Sequence, residues 1–453
     1  MRLKTRELVA FAMLSVPLSM GGLPLGLYLT PYYTAELGLS LTSVGLILLL
    51  TRVTDVVTDP LIGTLSDHTP DRFGRRSLWI MLGLPVMGFA TIALFDPPVD
   101  VSRLYLFVVV ASLYLGWTLI TIPLTAWAAE LSPDYNERSR IMGARTIAGT
   151  TGTLLVLLLP IGLSYLVDMG YTSLAPESEN SLQPMLRIVA WSTLLLLAVT
   201  GPLMILLVPQ PKFVQKTVLN FREAIAIVAR NKAFMRLLIA GVLTSLGWYC
   251  IATLYVFFLT FYLGADQKAW SALLLVYLAC SLIGTPFIVQ MSKRFNKHKL
   301  LAGLSVFAML IFSTVLLMEP GDYMYYIFIQ VFAGLVANAG QVLVPSMAAD
   351  VIDQDTLESG QQRGALFMAL WGMADKLALA AAAGITLPLL EFFGFDPTAA
   401  NDEAGLRALH FTYTFVPLIL LSWAAWLIWR FPITRQRQED FRQQISDQHL
   451  RID

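Results

Sequence analysis

Charge is scarce in this chain. Only 14% of its 453 residues are Asp, Glu, Lys or Arg, against about a quarter in a soluble globular domain. The 31 basic and 31 acidic residues cancel, so the concentrated basic footprint of a nucleic-acid binder is absent and no nucleic-acid partner is expected. Cysteine is nearly missing. Cys250 and Cys280 both lie in apolar stretches, which excludes a disulfide framework and reads as packing. His68, His298, His410 and His449 all fall at or beyond the ends of apolar segments. No Walker sequence, nucleophile elbow or zinc motif occurs, so neither an enzyme nor a cofactor is expected.

What is plentiful is apolar length, with 56% hydrophobic residues. Segments near twenty residues, long enough to cross a bilayer, fall at about 8–34, 40–67, 78–95, 103–131, 140–167, 187–208, 234–263, 268–292, 299–318, 322–349, 364–393 and 406–430. The basic run Arg2, Lys4 and Arg6 precedes an apolar stretch that continues past Tyr28 without a small-residue cleavage site, so it reads as the first span and not as a leader. The expected fold is an all-α polytopic membrane protein of twelve helices. Its expected organisation is a six-helix half over 1–208, a linker with an amphipathic surface helix over 209–233, a second six-helix half over 234–430 and a tail over 431–453. With both termini inside, the outer loops hold only Arg103, Arg187, Lys268 and Arg407 among basic residues. That asymmetry predicts cytoplasmic termini in a cell (inner) membrane.

A duplication supports the two halves. The fourth span ends PLTAWAAELSPDYNERSR and the tenth ends PSMAADVIDQDTLESGQQRG. Each has a proline, then Ala-Ala-acid, then a polar stretch closing on arginine, six spans apart.

Several charges stand where a bilayer penalises them. A carboxylate at mid-membrane costs about 2.5–3.5 kcal/mol on insertion scales, yet the second span carries Arg52, Asp55 and Asp59. The two aspartates are four residues apart, about 40° around a helix and 6 Å along it, so they share a face. Thr58 adds a hydroxyl, and Pro60 withholds a backbone donor. This oxygen-rich group suits Na⁺ or a proton as coupling cation. The alternative is a structural Arg52–Asp55 pair. In the fourth span Thr118, Thr121 and Thr125 can face one groove, or bond back to their own helix. Arg145 and Lys376 also lie within spans. Arg145 can snorkel to an interface; for Lys376 a partner on another helix is expected, proposed as the Asp55/Asp59 site, because Asp375 points to a different face.

Trp248, Tyr249, Asn338, Gln341 and Trp371 are candidates for a solute cavity, against packing as the bland reading of membrane aromatics. Gly63, Asp67, Arg72, Gly74, Arg75 and Arg76, with Glu130, Arg138, Asp350 and Arg363 from the repeated motif, form a candidate cytoplasmic gate.

At these residues the chain resembles the major facilitator superfamily, whose loop signature matches Gly63, Asp67, Arg72, Gly74, Arg75 and Arg76 with extra residues after Asp67. More narrowly, DVVTDPLIG and the two repeated motifs resemble the glycoside–pentoside–hexuronide:cation symporters, the family of melibiose permease. The resemblance implies an alternating-access carrier in which Asp55 and Asp59 bind Na⁺, H⁺ or Li⁺. It places the helix 4 hydroxyl on Thr118 and the coupling arginine and lysine on Arg145 and Lys376. Where melibiose permease grips sugar with aspartates on helices 1 and 4, this chain has Ser19 and Thr121. A tryptophan of helix 4 is replaced by Thr125, and the asparagine between the paired aspartates by Thr58. The implied activity is cation-coupled symport by a monomer of a sugar, glycoside or uronide. A lysophospholipid carrier is the alternative, and a non-transporting sensor a further one.

Overall fold

Among the described residues, twelve helices are long and apolar enough to cross a membrane. The computed structural model describes residues 3–70, 74–98, 100–131, 135–170, 181–210, 230–292, 294–359, 364–399, 401–433 and 436. The surface helix expected in the linker lies outside the described residues. In order the spans are α1 (Thr5–Leu27), α2 (Leu41–His68), α3 (Ser77–Phe95), α4 (Arg103–Glu130), α5 (Tyr135–Asp168) and α6 (Gln183–Leu207). The second set is α7 (Lys232–Tyr262), α8 (Gln267–Ser292), α9 (Lys297–Leu317), α10 (Asp322–Ile352), α11 (Gly364–Phe392) and α12 (Glu403–Trp429). Helices dominate because lipid offers no hydrogen bonds, so each span must satisfy its own backbone. Ser40, Ser102, Asn231 and Asp402 cap α2, α4, α7 and α12 with side-chain oxygens, filling donors that a helix start leaves open.

The duplication is also visible in backbone geometry. Both α1 and α7 run into five-residue π turns, Tyr32–Glu36 and Phe258–Tyr262. Each is followed by Leu-Gly, with Gly38 at φ 72° and Gly264 at φ 70°, a left-handed conformation that glycine adopts without strain. Leu37 N–H donates to the Tyr32 carbonyl and Leu263 N–H to the Phe258 carbonyl, each at 3.1 Å.

Contacts divide the chain into two units. Unit 1 is Met1–Lys216 with Asp266–Ala272 and Leu387–Asn401; unit 2 is Thr217–Ala265, Leu273–Thr386 and Asp402–Asp453. The division differs from a single cut at the linker, because short segments of α8 and α11 join unit 1. Trp270 packs 5.4 Å from the Tyr28 ring, and Glu391 accepts the Thr42 N–H at 2.5 Å.

Small residues bring helices close. A Cβ on Gly284 of α8 would stand 2.0 Å from the Leu335 carbonyl oxygen of α10, and one on Gly334 would stand 2.6 Å from that of Tyr277. Gly284→Ala is therefore expected to destabilise by about 1–3 kcal/mol, the range for overpacking a tight contact, and to lower the thermal midpoint. Gly303→Ala, with nothing within 4 Å of its Cβ, is the control. An unchanged midpoint in Gly284→Ala would show that α8 and α10 part freely.

Candidate functional site

On α2 the two aspartates have different partners. Asp55 is 3% exposed and accepts from Arg52 Nη1 at 3.1 Å, while the Arg52 guanidinium lies 3.8 Å from the Tyr114 ring centre. That aromatic face adds a cation–π contact to the ion pair. Asp59 Oδ1 instead accepts the Thr118 hydroxyl of α4 at 2.9 Å. A guanidinium thus meets the Asp55 carboxylate within α2, and a hydroxyl from α4 meets that of Asp59.

Thr58 stands between them. Its hydroxyl oxygen is buried and has no hydrogen-bond partner. Other threonines of this chain bond back to their own helix, Thr51 to Ile47 at 2.8 Å and Thr121 to Trp117 at 2.9 Å. The orphan hydroxyl, the Asp59 carboxylate and Thr118 thus supply oxygens of the type a hard cation takes. Thr121 is committed to its own helix, and Thr125 is exposed.

Ser19 and Arg145 belong to the α1/α5 contact. A Cβ on Gly149 would come 2.9 Å from Ser19 Oγ, and one on Gly152 would meet the Val16 carbonyl oxygen at 2.3 Å. The Arg145 guanidinium sits 5.9 Å from the Phe11 ring centre, and its Nε has no hydrogen-bond partner.

Unit 2 holds a cavity of about 190 Å³, and Trp248, Tyr249, Asn338, Gln341 and Trp371 all line it. Asn338 also marks a break in α10, between Tyr326–Ala337 and Ala339–Ser359. Its amide donates to Thr285 Oγ1 of α8 at 2.9 Å. Asp375 lines the same cavity, accepting from Ser245 Oγ at 2.6 Å and from the Tyr249 hydroxyl at 2.9 Å. The sequence offers Asp375 only as a counter-charge for Lys376, from which it points to a different face. The signal lay in α7, where Ser245 and Tyr249 are four apart and so share a face. Lys376 belongs to unit 2 and Asp55 and Asp59 to unit 1.

The loop-signature residues also find partners within their own unit. Arg75 Nη2 reaches Glu130 Oε2 at 2.8 Å, and Arg76 Nη2 reaches Glu130 Oε1 at 2.7 Å. Arg76 Nη1 also donates to Ser66 Oγ at 2.7 Å. In unit 2, Lys297 Nζ lies 2.7 Å from Asp350 Oδ2. Glu130 and Asp350 are the matching acids of the repeated motif, and their bases stand at the starts of α3 and α9, six spans apart. Gly74 turns at φ 69° with Ser77 Oγ where a Cβ would go, 2.1 Å away. A Cβ on Gly63 would make only ordinary contact with Ile122, at 3.8 Å, so packing does not require that glycine. Arg72 and Arg363 lie outside the described residues, as do the side chains of Asp67 and Arg138.

Known proteins resemble the chain over most of its length. A family model described as MFS/sugar transport protein matches residues 10–435. The uncharacterized symporter sll1374 of Synechocystis sp. is 24% identical, with 92% of each chain covered. The sodium-dependent lysophosphatidylcholine symporter 1-B of Danio rerio is 23% identical, covering 99% of this chain and 90% of the relative. Among solved structures, a bacterial homolog of the human lysosomal transporter Spinster, inward-facing and unoccupied, superposes with a TM-score of 0.70 at 14% identity, covering 97% of this chain and 98% of the other. The nucleoside transporter NupG superposes at 0.64 with 12% identity, covering 94% and 98%. Transporter relatives and twelve spans together make this a multi-pass membrane protein of the transporter class. By the family match over nearly its whole length, the chain belongs to the MFS/sugar transport protein family of the major facilitator superfamily.

Proposed function

We propose that the protein is a secondary symporter that uses a cation, Na⁺ or H⁺, to drive uptake of a small polar solute of the sugar or glycoside class. The observation that carries the cation is the buried, unpartnered Thr58 hydroxyl, one residue before an Asp59 that accepts the Thr118 hydroxyl. A buried polar atom left unpaired costs about 1–3 kcal/mol, and a bound cation would recover it. Cation binding offsets the Asp59 charge, and the balanced site favours the conformation that takes up solute, as alternating access requires. The solute class is supported by the unit 2 cavity, where indole faces of Trp248 and Trp371 stand with amide and carboxylate groups. The bias of basic residues supports cytoplasmic termini in the inner membrane.

An amphiphile is the second reading, favoured by similarity to the lysophosphatidylcholine symporter of Danio rerio. One experiment separates them. Glycosides and lysophosphatidylcholine are titrated into the purified protein with and without Na⁺ and across pH. Glycoside affinity is expected to rise about tenfold with the coupling cation, within the usual range of site-to-site coupling. Glycoside affinity indifferent to both Na⁺ and pH would overturn the symport reading. Binding of the lysolipid alone would replace the solute class.

A further inference from the structure

We propose that Asp375 makes the unit 2 cavity a charge filter, accepting hydroxyls of neutral glycosides and rejecting ligands that carry a carboxylate. The inference rests on the solute-symport reading and narrows it, separating neutral sugars from uronides.

Among the described residues Asp375 is the single charged one lining the cavity, with no Lys, Arg or His beside it in the lining. Its partners among the described residues are two neutral hydroxyls, Ser245 at 2.6 Å on Oδ1 and Tyr249 at 2.9 Å on Oδ2. They orient the carboxylate and bring no cation to it. Lys376 follows in sequence but is turned about 100° around the helix, and it is not a lining residue. An ionised carboxylate has about four acceptor positions, so two remain after Ser245 and Tyr249 are served. Two adjacent sugar hydroxyls match them, while the apolar face of the ring can lie on Trp248 or Trp371. At about 190 Å³ the cavity is below the roughly 300 Å³ at which drug-sized sites begin, so it suits a small ring. A second carboxylate arriving here meets a like charge with no cation on the wall to offset it. Ser19 and Thr121 provide no carboxylate on α1 or α4, and the Thr121 hydroxyl is bound to its own helix. Asp375 places that chemistry on α11.

The test pairs each of several methyl hexosides with its own uronic acid counterpart, so that the two ligands differ by CH₂OH against carboxylate. Binding to the purified full-length protein is read by tryptophan fluorescence and by shift of the thermal midpoint. At least one neutral hexoside is expected to bind about tenfold or more tighter than its uronate. In Asp375→Asn the hexoside should weaken by about tenfold and the preference should shrink. If that variant fails to fold, Ser245→Ala serves in its place: it retains the charge and should retain the preference. If every hexoside that binds the wild type is matched by its uronate, the filter is overturned and the sugar-symport reading stands. A response to lysophosphatidylcholine with none to any hexoside overturns both.

Discussion

Asp59→Asn should yield a folded carrier that lets its solute equilibrate but no longer accumulates it against a gradient. The neighbouring Asp55→Asn should fail differently, by losing stability. The distinction follows from partners. Asp59 contacts the neutral Thr118 hydroxyl, so asparagine can keep that contact while removing the charge a cation would bind. Asp55 is buried against Arg52, and removing one partner of a buried ion pair costs about 3–5 kcal/mol by leaving the other charge uncompensated. The Tyr114 face below Arg52 offsets part of that cost. Measured in proteoliposomes, Asp59→Asn should retain counterflow, with an accumulation ratio falling to about 1. A loss of cation affinity of about 100-fold would correspond to roughly 2.7 kcal/mol. Uphill uptake persisting in Asp59→Asn would assign coupling to another group, and equal thermal midpoints for Asp55→Asn and the wild type would sink the stability argument.

The second large effect is expected at Glu130. Arg75 and Arg76 are 5% and 3% exposed, and both reach this one carboxylate. Glu130→Gln removes the charge they share, with a cost near the lower end of the 3–5 kcal/mol range because Arg76 keeps Ser66. The thermal midpoint should fall by roughly 5 °C or more. Glu403→Gln provides the comparison. Glu403 pairs with Arg407 one helical turn away, the two side chains 80% and 70% exposed, and such exposed pairs contribute at most about 1 kcal/mol. Similar shifts in the two variants would mean that burial does not set the strength of the α3/α4 pair.

How much of this was legible in sequence depended on whether a property is local. Span lengths and the shared face of Asp55 and Asp59 follow from helix geometry, and Arg52 reaches Asp55 as its spacing of three allows. Thr121 bonding to Trp117 was likewise a local alternative open from the start. Partners on other helices were harder. Nothing local to Lys297 points to Asp350, which it meets, and Asp375, considered only as a partner for Lys376, faces Ser245 and Tyr249 on α7 instead. The duplication was read from Ala-Ala-acid at α4 and α10. Its counterpart at the ends of α1 and α7 is carried by hydrogen-bond geometry around a bare Leu-Gly, too short to register as a repeat.

The glycines between α8 and α10 bear on how unit 2 can deform. Interlocked side chains let helices move only by disengaging one row and engaging the next, which makes displacement stepwise. At Gly284 and Gly334 each helix instead offers bare backbone to the other's carbonyls, with only the Cys280 Cβ close beside Gly334, so there is little to lift at that crossing. Lengthwise slip there meets a smooth bearing, while separation loses close backbone contact. Shear along this crossing is the motion such close backbone contact would permit, and the Asn338 break, four residues beyond Gly334, divides α10 there from the part that carries Asp350.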